Sequence, residues 1–273
     1  MELPNGTLLS AWFGGKHEQD NSVEIWLSSK PKGGDWSAPK EMTKFPDAPT
    51  WNPVLFRDRS GKIWLFFKLG PNEREWIGAY RTSTDGAATW TDVTYLPAGL
   101  LGPIRCKPVI LSDGAILAPT SVEAYQTYTA WMERSTDNGK SWRIFGPLVY
   151  DGVRKGLIQP TVWETKDHRV RALMRSTRKI GAIVESTSSD GGRTWGPVTK
   201  TVLPNPDAGI DAVKMTDGRV ALVFNNTATA RSPLNLAFSD DDGATWGTRY
   251  VLEDEPGEYS YPAIIQARDG KLN

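Results

Sequence analysis

The chain has 273 residues, 39% of them apolar, with 32 basic and 32 acidic side chains. That balance argues against nucleic acid or an anionic membrane as partner, and no segment is long and apolar enough to span a bilayer. A single cysteine, Cys106, excludes an intrachain disulfide and a cysteine-based zinc site, and the two histidines, His17 and His168, lie too far apart to suggest a metal cluster or a Ser-His-Asp triad, so neither metal nor cofactor is expected.

In chain order, the first unit opens on Glu2-Leu3, read as the tail of an inner strand. The strand GTLLSAWFGG follows, then the acidic loop carrying Asp20, then the degenerate turn SSKPKGGDW, which ends at Trp36. The second unit reads NPVLFRDRSGKIWLFF, two strands joined by a polar turn, and reaches the turn STDGAATW at residues 83–90. The third begins KPVILSDGAILAPTS and reaches STDNGKSW at 135–142. The fourth shows the recipe in full: IQPTVWET, RVRALMRS, AIVESTSS, a turn at 188–195, and GPVTKTVL. The fifth contains AVKMTDGRVALVF and the turn SDDDGATW at 239–246, and PAIIQARDGKL begins another. Alternation and β-branched residues between Gly, Asp and Asn turns predict antiparallel strands.

Four of these turns fit Ser-x-Asp-x-x-x-(Thr/Ser)-Trp, with Gly in the fifth place except at Ala87. Trp36, Trp90, Trp142, Trp195 and Trp246 stand 54, 52, 53 and 51 residues apart. A period near 50 with four strands per unit predicts an all-β propeller, expected as one domain over residues 1–273. Six blades are expected, about five in full and a partial sixth, with the chain truncated at both ends; a ring of five closed by strand 260–266 is the alternative. Each box is expected between the third and fourth strands, its Ser and Asp tying turn amides and its Trp packing between blades.

Function is then expected on the opposite face, at the starts of the inner strands and at the loops joining second and third strands. The starts carry Asn52, Lys107, Gln159, Asp211 and Tyr261, all but Asp211 followed by proline. Polar residues at one rim of a channel suit a small-molecule pocket. The loops add Asp20, Glu123, Arg175 and Arg231, and two arginines from adjacent blades suit bidentate binding of a carboxylate.

These segments resemble the sialidase (neuraminidase) superfamily with BNR/Asp-box repeats, in particular the branch usually labelled "predicted neuraminidase". The likeness runs nearly end to end. It implies a six-bladed propeller that cleaves terminal acidic sugars. GTLLSAWFGG and its acidic loop resemble the segment bearing the acid/base aspartate, which falls on Asp20. IQPTVWE…ALMRS and NNTATARSPLNLAFS resemble the blades supplying the second and third arginines of a carboxylate-binding triad, at Arg175 and Arg231. EYSYPAII resembles the strand of the nucleophilic tyrosine, at Tyr259 with Tyr261 as alternative. Two departures stand out. The triad's first arginine belongs on a strand before Met1, with no replacement in the chain. Gln159 occupies the place of the glutamate that activates the tyrosine, with Asp211 and Glu258 as the alternative carboxylates for that part.

The resulting expectation is an exo-acting glycoside hydrolase on a carboxylated sugar such as a sialic or 2-keto-3-deoxy acid, with Lys107, Asp211, Asn52, Glu123 and Tyr261 joining the arginines around the substrate. A tyrosine nucleophile departs from the two-carboxylate rule of most glycosidases. The alternatives are a non-catalytic carbohydrate-binding propeller, and a glycosidase or lyase of other specificity using Asp20, Glu123 and Asp211. A carbohydrate is the only partner expected. Two sequons, at Asn5 and Asn225, do not fix a localisation.

Overall fold

A computed structural model describes residues 1–273 and shows an all-β propeller. The first sheet contains β1 (Leu8–Gly14), β2 (Glu24–Lys30) and β3 (Lys40–Glu41). The second contains β4 (Thr50–Arg57), β5 (Ile63–Leu69), β6 (Ile77–Ser83) and β7 (Thr94–Tyr95). The third contains β8 (Val109–Ile110), β9 (Ile116–Glu123), β10 (Tyr128–Ser135) and β11 (Arg143–Leu148). The fourth contains β12 (Leu157–Glu164), β13 (Val170–Ser176), β14 (Ala182–Ser188) and β15 (Thr199–Pro204). The fifth contains β16 (Asp211–Lys214), β17 (Val220–Asn225), β18 (Leu234–Ser239) and β19 (Arg249–Glu253). Every pair in the ladders is antiparallel, and within each sheet the strands follow chain order from the centre outward.

Five sheets are present where six blades were expected. The residues after β19 form one short hairpin, bridged at Gln266–Leu272, which is too little chain to build a sheet. Nor does strand 260–266 ladder onto the first sheet, as a closed ring of five would need. The hairpin meets the beginning of the chain through Arg268, whose amide donates to Glu2 and whose guanidinium donates to the Pro4 carbonyl. Glu2 bridges to Leu8 at the start of the first sheet, and the Met1 carbonyl accepts from the Leu9 amide.

The core lies in the seams between sheets. One cluster joins Leu9, Ile25 and Leu27 of the first sheet to Ile63, Leu65 and Phe67 of the second. Others join Phe56, Trp64 and Phe66 to Ile116, Leu117 and Met132 to Val162 and Ala172, and Trp163 and Leu173 to Leu222 and Phe224. Alternate residues of a strand serve opposite seams, as the twofold period of a strand requires.

All four boxes occupy the turn between third and fourth strands and are built alike. The leading Ser Oγ donates to the Asp at 2.8 Å in each and accepts the amide of the fifth residue at 2.7–2.9 Å. The Asp also accepts the Thr or Ser hydroxyl before the tryptophan, at 2.5–2.6 Å. These bonds hold Asp85, Asp137, Asp190 and Asp241 at a pKa of about 2. Trp90, Trp142, Trp195 and Trp246 pack against the seam with the preceding sheet, not in the channel. The degenerate copy has no aspartate in the box position, and its Trp36 is exposed.

Candidate functional site

The rim opposite the boxes gathers the candidate residues through a recurring backbone device. Asn52, Gln159 and Tyr261 each precede a proline and each take the left-handed conformation, at φ of 46°, 52° and 59°. In β4 and β12 this coincides with a register shift, between Trp51 and Val54 and between Ile158 and Pro160. A bulge re-aims the side chain and terminates ordinary pairing, and strain of this kind clusters at ligand sites. Asn52 and Gln159 are buried at these bulges.

Arg175, near the end of β13, is buried and donates from Nε to Asp207 at 2.9 Å and from Nη1 to Gln159 Oε1 at 3.2 Å. Its guanidinium is raised in pKa by Tyr261 and Asp207 against the opposing effect of burial, which is the largest influence on it. Arg231, in the β17–β18 loop, donates from Nη1 to Glu258 at 2.6 Å and from Nη2 to the Asp207 carbonyl at 3.0 Å. Asp207 therefore holds both arginines, one through its carboxylate and one through its main chain.

A third guanidinium joins them. Arg105 reaches across the channel, donating to the Pro262 carbonyl at 2.8 Å and to the Ile210 carbonyl, while its buried Nε has no partner. The loop that carries it is tied down by buried groups. Glu133 accepts the Leu101 and Gly102 amides at 2.7 and 2.9 Å, and the fully buried Lys68 donates to the Pro103 carbonyl at 2.9 Å. Burial pushes the Lys68 ammonium well below its usual range. The guanidinium carbons of Arg105, Arg175 and Arg231 lie 5.8, 5.9 and 5.7 Å from the centre of the Tyr261 ring.

Tyr259, the first choice for the nucleophile in the sequence, lies elsewhere. Its backbone is tied to the β17–β18 loop by bonds to the Arg231 carbonyl and from Asn225 Nδ2, and its phenol folds back over Gly257. The tyrosine that the arginines surround is Tyr261, and the sequence carried a signal for it: Tyr261-Pro262 repeats the polar-proline pair of Asn52-Pro53, Lys107-Pro108 and Gln159-Pro160. Arg105 and Asp207 had no such signal, because both act through contacts between sheets.

Lys107 and Asp211 are brought together across the channel at 2.8 Å. Asp211 also accepts from the amides of Ala212 and Ile264 at 3.0 and 2.9 Å and from Thr161 Oγ1 at 3.2 Å. Both are engaged with protein partners. Glu258 is engaged with Arg231 and Ser260, which lower its pKa, and Asp20 accepts the Ser22 amide at 2.8 Å on the β1–β2 loop, with its pKa lowered by Ser22. Glu123 closes β9, buried, with Oε1 unpartnered. His168 meets Ser112 Oγ and Glu164 through the same ring nitrogen, Nδ1, which clips two turns together but cannot relay a proton between them.

Residues 6–273 match the family model for the BNR repeat-like domain. A sialidase of Micromonospora viridifaciens is 29% identical over 213 residues, covering 69% of this chain and 32% of that protein. A sialidase of Bacteroides fragilis is 26% identical over 309 aligned positions, covering 95% of this chain and 55% of that protein. The chain thus spans about a third and about half of these relatives. Among solved structures, a Streptococcus pneumoniae sialidase superposes with a TM-score of 0.83 at 16% identity, over 100% of this chain and 63% of that one. The intramolecular trans-sialidase of Ruminococcus gnavus superposes at 0.81 with 14% identity, over 100% and 87%. A Dyadobacter fermentans protein of unknown function superposes at 0.80 with 19% identity, over 97% and 85%. At such identities the structural likenesses speak for the fold.

Proposed function

We propose, for a chain that belongs to the BNR repeat-like family of the sialidase superfamily, that the rim binds a terminal carboxylated sugar and acts on it as an exo-glycosidase. One observation carries this reading: three guanidiniums from three consecutive blades, the third, fourth and fifth, lie around a single tyrosine, Tyr261. Cations so gathered suit an anionic group, and charged hydrogen bonds to a carboxylate contribute about 1.5–3 kcal/mol each. In the sialidase scheme Asp20 protonates the leaving oxygen and a tyrosine attacks the anomeric carbon. Tyr261 fits that part better than Tyr259. A neutral phenol approaches a carboxylated sugar without the repulsion an anionic nucleophile would meet.

Gln159 favours a second reading, a propeller that binds the acidic sugar without efficient turnover. Its amide oxygen accepts from Arg175, and an amide cannot remove the proton of a phenol whose ordinary pKa is about 10. Turnover of a fluorogenic sialoside decides between the two. Slow cleavage by the native protein is expected, with a gain on Gln159→Glu that Tyr261→Phe abolishes. Cleavage unaffected by Tyr261→Phe would remove this tyrosine from the chemistry, and binding with no cleavage by either the native or the Gln159→Glu protein would leave the lectin-like reading.

A further inference from the structure

We propose that Gly209 is a positioning residue of the arginine site: its missing side chain seats Arg105, and with it the preference of the rim for an acid. The inference deepens the reading that the rim receives a carboxylated ligand, and rests on it.

The β15–β16 loop touches all three guanidiniums. Asp207 takes Arg175 on its carboxylate at 2.9 Å and Arg231 on its carbonyl at 3.0 Å, and the Ile210 carbonyl accepts from Arg105 Nη2. The loop is braced from within. Asn205, fully buried, donates from Nδ2 to the Ala208 carbonyl at 3.0 Å, and its Oδ1 accepts the amide of Ser176, the residue after Arg175, at 3.3 Å. Ala208 and Ile210 are fully buried as well.

Gly209 is buried between these two. It does not share the left-handed conformation of Asp207, at φ 66°, so its backbone makes no demand for glycine. Space makes that demand. The three atoms nearest to a Cβ at this position are Nε, Cζ and Nη2 of Arg105, at 2.9, 3.0 and 3.2 Å. The guanidinium thus lies against the glycine, and a methyl group would push it away. Arg105 has little room to yield, since Nη1 donates to the Pro262 carbonyl at 2.8 Å, directly after Tyr261. Its position also matters most to an anion. Arg175 is paired with Asp207 and Arg231 with Glu258, whereas Arg105 has only carbonyl partners. Arg105 therefore carries the uncompensated charge of the three, and a charge-assisted bond to a carboxylate depends on where it sits.

The test measures the affinity of the full chain for N-acetylneuraminic acid and for its methyl ester. It compares the native protein, Gly209→Ala, Arg105→Ala and the double variant, with the melting temperature of each. Gly209→Ala should weaken the acid roughly tenfold, the loss of one charged hydrogen bond, and leave the ester nearly unchanged. Added to Arg105→Ala, it should cost neither affinity nor melting temperature, because the group it displaces is gone. That second comparison holds even if Gly209→Ala alone does not fold. A Gly209→Ala protein with its full acid preference overturns the proposal. So does a loss of stability on Gly209→Ala that is the same with and without the Arg105 side chain. A native protein that binds the acid no better than the ester would instead overturn the carboxylate reading on which the proposal stands.

Discussion

The burial of Glu123 has a consequence for stability. Its folded pKa lies above the ordinary 4.5, at about 7, so the fold favours the protonated form. The contribution is fully present below pH 4.5 and is lost as pH rises through about 7. A shift of this size corresponds to ~3 kcal/mol in a buried group. Glu123→Gln, which never ionises, should therefore melt higher than the native protein at pH 8 and about equally at pH 5. Equal melting temperatures at both pH values would show that the carboxyl is solvated. Much of the rim was legible in the sequence: Gln159 and Arg175 meet, and Arg231 joins Arg175 through Asp207. Arg105 was not legible, because its place depends on a loop pinned by Glu133 and Lys68 and on the Ile210 and Pro262 carbonyls, 105 and 157 residues further on. Tyr259 and Tyr261 stand two residues apart in an irregular segment, and of the two only Tyr261 takes the left-handed conformation, before Pro262.

At the scale of the element, the boxes explain their own sequence. Their fifth residue is left-handed in every copy, at φ of 73–90°. A Cβ on Gly243 would lie 2.6 Å from the Trp163 ring of the preceding sheet, and on Gly192 2.8 Å from Leu117. Ala87 carries its methyl at the seam with the first sheet, packed on the cluster of Leu9 and Ile25. Gly243→Ala should destabilise by ~2–4 kcal/mol from backbone strain and overpacking, whereas Ala87→Gly should shift stability by less than about 1 kcal/mol, relieved strain offsetting a lost methyl contact. Equal melting of Gly243→Ala and the native protein would show that the seam yields freely. The box aspartates set an acid limit as well. Their lowered pKa gives stability that is present above the ordinary 3.8 and lost as pH falls through about 2. The melting temperature should drop steeply between pH 4 and 2, and less steeply in Asp190→Asn. The Ser-x-Asp spacing made these turns readable because their bonds are local. The exposure of Trp36 was less so, since the degenerate copy keeps its tryptophan without the aspartate.

For the molecule as a whole, the period fixed the architecture but not the number of sheets. The tail after β19 supplies a hairpin, and the ring is stitched instead by long-range polar contacts. Asp211 joins four segments through Lys107, Thr161, Ala212 and Ile264. Asp211→Ala should cost ~2–4 kcal/mol, the scale of breaking a largely buried ion pair, and should not alter affinity for an acidic sugar at temperatures where the fold persists. A change in affinity without a change in melting would return Asp211 to the ligand. The same channel draws Arg105, Arg175 and Arg231 to one tyrosine, and the function proposed above depends on that convergence. Its most direct test is the affinity of the native protein for N-acetylneuraminic acid and for its methyl ester, compared in Arg175→Ala and Arg231→Ala. The acid should bind more tightly than the ester, and each substitution should weaken the acid by about 1.5–3 kcal/mol while leaving the ester nearly unchanged. Equal binding of acid and ester, unchanged by either substitution, would contradict a carboxylate site at this rim.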